Sequence, residues 1–431
     1  MGHHPPVSSR IRVLLLSNAI APDRPGGLER YVRDLAGALS RAGADVMVHA
    51  RRVNPQDPAR CIDGDGVDVR RFDTPSRDNL LYALGYPAAT ARAVRTVVAA
   101  QSRTRVLHSH YPLQGLPLAL GRTPYVHTFH APVHRELIPE HQGAYALPSA
   151  TRAAAARLMR LGESRVVRRA QSVTVLSEFM EAQALALGAD PQSITVMPGG
   201  IDTKRFSPGP PASHEWAHAG GPLLFTARRL VPRTGVGELV EAFARISDRV
   251  EDARLVIAGR GPLEDDIRAR VRAHGLQERV LMLGWISDEE LVDWYRAASL
   301  VMMPTQELEG FGLTTAEALA CGTPVVGTPA GANPEVLARL DASLTTRDVS
   351  AAAMAETVIE LLADSERLAA LSARARAAVH PALSWDLLAD GYMALYERHR
   401  FHSGGAGRVS VAGGPTHESE IVRSTTGSAG S

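Results

Sequence analysis

The chain has 431 residues, 45% of them apolar and 22% charged, the make-up of an ordinary globular protein with more length than one core usually fills. Its net charge of +1 gives no support for a nucleic-acid partner, and two cysteines, Cys61 and Cys321, provide no disulfide framework and fit a reducing cytoplasm. No apolar run reaches the ~20 residues needed to span a bilayer, and Met1–Ser9 lacks the apolar centre of a secretory signal.

In chain order, Ile11–Ser17 reads as a strand and Leu28–Ala42 as a helix, joined by a loop that ends in Gly26 and Gly27. Strand-like runs then recur at Asp45–Ala50, Val67–Phe72, Arg105–Ser109, Tyr125–Phe129, Ser172–Leu176 and Ile194–Met197, with helices at Ala88–Ala100, Ala150–Ala170 and Glu178–Leu187. Residues 207–221, rich in Pro, Gly and His without periodicity, read as a linker. After it the alternation restarts. Strands are expected at Pro222–Ala227, Ala253–Ala258, Val280–Leu283, Leu300–Pro304 and Pro324–Thr328, and helices at Gly235–Val250, Pro262–Ala273, Asp288–Ala298, Thr314–Ala320, Val349–Ala363, Ser365–Val379 and Trp385–Arg400. Residues 401–431 are Gly/Ser/Thr-rich with few large apolar side chains, and disorder is expected there. Alternating strands and helices imply two α/β units with parallel sheets, and such sheets bind ligands beyond the carboxyl ends of their strands.

That rule singles out His108, His110, His130 and Ser177 in the first unit, and Glu309 to Glu317 in the second. In the second, Gly310 and Gly312 flank a helix start, where free backbone N–H groups and the helix dipole suit a diphosphate. Glu317, one to two turns further on, has two acceptor oxygens for a pair of vicinal hydroxyls. A nucleotide carrying a sugar has that chemistry.

The ordered motifs resemble glycosyltransferase family 4, the large retaining family of GT-B architecture, over about Arg10 to Arg400. The most specific is Glu309 and Glu317 as E-x7-E, supported by Gly26-Gly27-Leu28-Glu29-Arg30, Gly199-Gly200-Ile201-Asp202, Arg229-Leu230-Val231-Pro232 and Ser384-Trp385. The resemblance implies two Rossmann-like domains facing across a cleft. Residues 10–206 would form the acceptor domain, 222–384 the donor domain, and 385–400 a helix crossing back to the first. It implies Glu317 on the nucleotide ribose, Glu309 beside the donor sugar, and backbone N–H groups of Gly310, Phe311, Gly312, Leu313 and Thr314 on the diphosphate. It further implies Arg229 as a phosphate-binding cation, His130 beside the reacting centre and Gly27 close to phosphate or acceptor.

Two departures stand out. Thr234 replaces the lysine usual five residues after Arg229, so Arg233 is expected to supply the second cation; Gly199 replaces a common asparagine. The activity implied is retaining transfer of a hexosyl group from a UDP- or GDP-sugar to an acceptor hydroxyl, in glycan, exopolysaccharide or secondary-metabolite glycosylation. No metal or other cofactor is expected. The alternatives are a nucleotide-sugar epimerase of similar fold or a nucleotide-sugar-binding protein with a degenerate site. A small-molecule or lipid-linked glycan acceptor would meet the loop Pro132–Ser149, with His110, Arg135 and Glu136 as candidates. The arginines of Ala150–Ala170 read first as a solvated helix surface and second as a basic face for an acidic acceptor or for peripheral contact with the inner membrane face by a cytoplasmic protein.

Overall fold

The computed structural model describes residues 10–24, 26–76, 82–100, 105–136, 149–211, 213–218 and 220–399. The extension 1–9, the centre of the expected acceptor loop (137–148) and the tail 401–431 lie outside the described residues.

Two sheets organise the chain. The first holds β1 (Arg12–Ser17), β2 (Asp45–Arg51), β3 (Arg60–Ile62), β4 (Asp68–Phe72), β5 (Arg105–Ser109), β6 (Val126–Phe129), β7 (Ser172–Val175) and β8 (Ile194–Val196), in the order β3-β4-β2-β1-β5-β6-β7-β8. The second holds β9 (Leu223–Ala227), β10 (Arg254–Ala258), β11 (Val280–Gly284), β12 (Leu300–Met303) and β13 (Val325–Gly327), in the order β11-β10-β9-β12-β13. Every pairing is parallel except β3 with β4. Val13 to Leu16 of β1 are fully buried, as expected of a parallel strand covered by helices on both faces.

The apolar runs had marked most strands. What they missed has local causes. Helix Pro112–Gly121 carries Pro112, Pro117 and Gly115, which read as breakers, yet Pro112 occupies its tolerated first-turn position. Strand β3 is three residues long and largely polar, too short for any period. Helix Tyr82–Ala99 starts earlier than expected and carries Pro87 inside it. The expected linker contains a short helix, Glu215–His218.

The last helix, Trp385–Arg398, returns to the first domain. The Ile201 N–H donates to the Leu383 carbonyl at 2.8 Å where the chain crosses. Tyr392 then hydrogen-bonds Tyr31 at 2.7 Å, and Tyr396 hydrogen-bonds His108 Nδ1 at 2.7 Å. Trp385 is buried with its ring edge-on to Tyr31 at 5.0 Å. A Cβ on Gly200 would collide with that indole, so the Gly200 position is shaped by Trp385. Trp385→Ala is therefore expected to lower unfolding stability by about 3–5 kcal/mol, read from urea denaturation. A loss below about 1 kcal/mol would mean the crossing helix is not part of the common core.

Candidate active site in the interdomain cleft

The second domain brings its strand ends to the cleft at the Glu309–Glu317 turn. Helix Leu313–Ala320 starts at Gly312, whose φ of 85° is left-handed and whose missing side chain leaves the first N–H groups uncapped. Leu308, with φ 56°, is one of two non-glycine residues in that region of backbone space among the described residues, and it sits immediately before Glu309. A Cβ on Gly310 would lie 2.8 Å from the His130 carbonyl oxygen of the other domain. Gly27 faces Leu313, with 4.0 Å between a notional Cβ and the Leu313 side chain. Gly199, read as a turn variation, has a packing reason: a Cβ there would collide with the Phe311 ring.

Glu317 is buried and Glu309 half-buried, and each is held by an arginine. Glu309 accepts from Arg228 at 2.8 Å and lies 3.4 Å from the Thr305 hydroxyl. Burial pushes the Glu309 carboxyl up, but the Arg228 charge and hydrogen bond, with Arg233 and Thr305, outweigh it and hold the carboxyl below its usual range. Glu317, 3% exposed, pairs with Arg30 of helix Gly27–Arg41 and accepts from the Tyr295 hydroxyl at 3.3 Å. Burial pushes it up to about 7, against the opposing pull of Arg30.

The cations differ in detail from the sequence reading. Arg229 is exposed at the loop surface, and it is the preceding residue, Arg228, that reaches Glu309. Thr234 is 3% exposed, and its hydroxyl lies 2.6 Å and 2.7 Å from the Arg229 and Val231 carbonyl oxygens. It braces the loop from inside and presents no donor to the cleft. Arg233 is half-buried near Glu309, and its carbonyl accepts from the Gln306 N–H at 2.8 Å.

In the first domain, His130 is half-buried at the end of β6, edge-on to Tyr31 at 4.9 Å and 3.2 Å from His110 Nδ1. His110 is 1% exposed, so it supports His130 from beneath and cannot line an acceptor surface. His108 is equally buried, and both its ring nitrogens are taken, by Tyr396 and Thr128. Arg135 is exposed and turned toward Gln183 at 3.4 Å. Glu136 ends the short helix Val133–Glu136, and its side chain lies outside the described residues.

Three contacts that sequence reading missed join the domains: Arg30 with Glu317, the Ser177 hydroxyl donating to the Gly310 carbonyl at 2.8 Å, and Glu335 with helix Glu178–Ala186. The Glu335 carboxylate accepts the Glu178 and Phe179 N–H groups, each at 2.8 Å, which places an anion on that helix's positive end. The sequence signal for Arg30 was its place in Gly-Gly-Leu-Glu-Arg; Arg228 and Glu335 carried none beyond an Arg-Arg pair at a strand end and a glutamate in a second-domain turn.

Among the described residues no group of three or more His, Cys, Asp or Glu is placed to hold a metal ion, and no helix is long and apolar enough to cross a membrane.

The histidines set an acid limit. Burial lowers His127 to about 4 and His130 to about 3, and lowers His108 and His110 well below the ordinary 6.5. Between pH 6.5 and these values the unfolded chain binds more protons, so each such histidine makes stability fall on acidification, by roughly 1 kcal/mol per pH unit. Glu317, raised from 4.5 to about 7, acts oppositely, its contribution falling as pH rises through that window. With His49 and His399 also lowered and Glu163 and Asp34 also raised by burial, six histidines stand against three carboxylates. Urea midpoints are expected to fall steadily from pH 6.5 to 4; a flat or rising profile would contradict the neutral-histidine assignment.

Comparison with known proteins follows this geometry. Residues 214–378 match the family described as Glycosyl transferases group 1, and residues 26–200 match the Glycosyl transferase 4-like domain. A D-inositol 3-phosphate glycosyltransferase of Xylanimonas cellulosilytica is 31% identical, over 89% of this chain and 96% of that protein. A GDP-mannose-dependent alpha-(1-6)-phosphatidylinositol monomannoside mannosyltransferase of Mycobacterium tuberculosis is 29% identical, over 88% of this chain and 96% of that protein. Among solved structures, sucrose-phosphate synthase of Thermosynechococcus elongatus superposes with a TM-score of 0.74 at 24% identity, covering 90% of this chain and 99% of that one, and so shares the fold.

Proposed function

Because this chain belongs to the group 1 glycosyl transferases of family 4 and is a glycosyltransferase of GT-B fold, we propose that it transfers a hexosyl group from a UDP- or GDP-sugar to an acceptor hydroxyl with retention. The observation that carries this reading is the Glu309–Glu317 turn. It combines an uncapped helix N-terminus, glycine backbone on both sides, the buried Glu317 carboxylate and the half-buried Glu309 carboxylate, at the edge of the second domain that meets the first.

In this reading the diphosphate sits on the N–H groups of Phe311 to Thr314. The ribose hydroxyls take Glu317, displacing Arg30, and the sugar lies between Glu309 and His130. His130, neutral because burial holds it near 3, offers a hydrogen bond and not a charge. The anomeric carbon's bond to the β-phosphate oxygen breaks as the acceptor oxygen bonds to that carbon on the same face, and the acceptor proton passes to the departing phosphate. Positive charge aimed at the leaving diphosphate then does most of the catalysis, supplied by Arg229, Arg233 and the helix N-terminus. This scheme calls on no metal ion. Acceptors carrying a phosphorylated inositol are the first to test, because the names of both relatives include one. A lipid-linked acceptor would also bring the exposed arginines of helix Ser149–Arg169, such as Arg157 and Arg160, toward an anionic membrane.

The test is binding and turnover with UDP-, GDP-, ADP- and dTDP-sugars, followed by mass spectrometry of acceptor mixtures. One nucleotide family is expected to bind selectively. Glu317→Ala should weaken that nucleotide about tenfold or more, the worth of hydrogen bonds to a charged group. Wild-type affinity should itself decline as pH falls through about 7, where Glu317 takes up a proton and loses an acceptor. Unchanged affinity in Glu317→Ala would remove the ribose role.

A further inference from the structure

We propose that Arg228 is a further diphosphate-binding cation of this enzyme, beside Arg229 and Arg233, adding the charge that Thr234 lacks. The inference rests on the donor-site reading above and adds to it a residue that the motif pattern passes over.

Three observations place Arg228 there. First, it follows directly on β9, at the carboxyl end of the central strand of the second sheet, where strand ends deliver side chains to a ligand. The backbone at this point is clamped: a Cβ on Gly259 would overlap the Arg228 carbonyl, and the Arg228 N–H donates to the Ala258 carbonyl at 3.0 Å. Second, the guanidinium is fixed in place, with its side chain only 9% exposed. One terminal nitrogen donates to Glu309 at 2.8 Å and to Thr305 at 3.1 Å, and the other lies 3.6 Å from the Met303 sulfur. The Nε–H and the second N–H of the sulfur-facing nitrogen remain to meet phosphate oxygens. Third, the residue at the expected lysine position is not available. Thr234 is buried with its hydroxyl turned into the loop, and it carries no charge.

Charge decides what the arrangement does. Arg228, Arg229 and Arg233 outweigh Glu309 by two units; without Arg228 the surplus falls to one. Halving the surplus beside a leaving diphosphate would stabilise less of the charge that develops there. Arg228 also holds Glu309 ionised, and the carboxylate in turn fixes the guanidinium.

The experiment separates the charge from the scaffold. Arg228→Gln retains a donor for Glu309 and removes the positive charge. Dissociation constants are measured for the nucleoside diphosphate and monophosphate of whichever base the wild type binds, UDP and UMP or GDP and GMP, with kcat and KM for the matching donor. Wild type should prefer the diphosphate. Arg228→Gln should lose about tenfold or more of that preference while binding the monophosphate as before, with kcat falling more than KM rises. The double variant Arg228→Gln/Thr234→Lys should regain the preference. Retention of the diphosphate preference by Arg228→Gln, or an equal loss for both nucleotides, would overturn the proposal and leave Arg228 as a prop for Glu309. Failure of the wild type to bind any nucleotide would instead bring down the donor-site reading itself.

Discussion

A buried and a half-buried carboxylate on one turn set the terms for this molecule. An ionised side chain out of water needs a partner close by, and removing one member of such a pair typically costs about 3–5 kcal/mol. Glu309 finds Arg228 within its own domain, whereas Glu317 finds Arg30 on the first helix of the other. The same turn that presents N–H groups to a ligand is thus also a hinge-point of the domain interface. A nucleotide entering the cleft would have to offer Glu317 something in place of Arg30. Vicinal hydroxyls are one such offer, since they donate hydrogen bonds without requiring the carboxylate to lose its charge.

The rest of the cleft is consistent with that exchange. Glycines stand where the domains approach each other most closely: Gly310 against the His130 carbonyl, Gly199 against Phe311, Gly27 against Leu313. Ser177 and Glu335 add hydrogen bonds whose acceptors and donors are partly backbone. Behind them, the layer of His108, His110 and His130 is kept neutral by burial and tied by hydroxyls of the returning helix, so the reacting edge of the first domain is rigid and uncharged. Apart from Arg30, which pairs with Glu317, the cleft cations Arg228, Arg229 and Arg233 lie on the donor side, where a departing diphosphate would need them.

Much of this was legible in the chain. The parallel strands announced themselves as short apolar runs, and the E-x7-E turn could be placed between β12 and its helix from glycine and glutamate spacing alone. What the sequence could not convey was tertiary. Arg228 and Arg229 are neighbours of identical chemistry, and only the folded chain shows that Arg228 is the one that pairs with Glu309. Thr234 read as a missing cation at the site, but its hydroxyl serves the loop. His110 looked like a cleft residue because it follows a strand, yet Tyr31 and His130 cover it. The interdomain partners of Glu317 and of the Glu178 helix lie far away in the chain, and no local pattern links them.

The most direct measurement is a crystal structure with the nucleoside diphosphate that the protein binds best. The account predicts the diphosphate on the N–H groups of Phe311 to Thr314, ribose hydroxyls on Glu317, and Arg30 moved off that carboxylate. A nucleotide bound elsewhere, or bound with the Arg30–Glu317 pair intact and the turn empty, would contradict it.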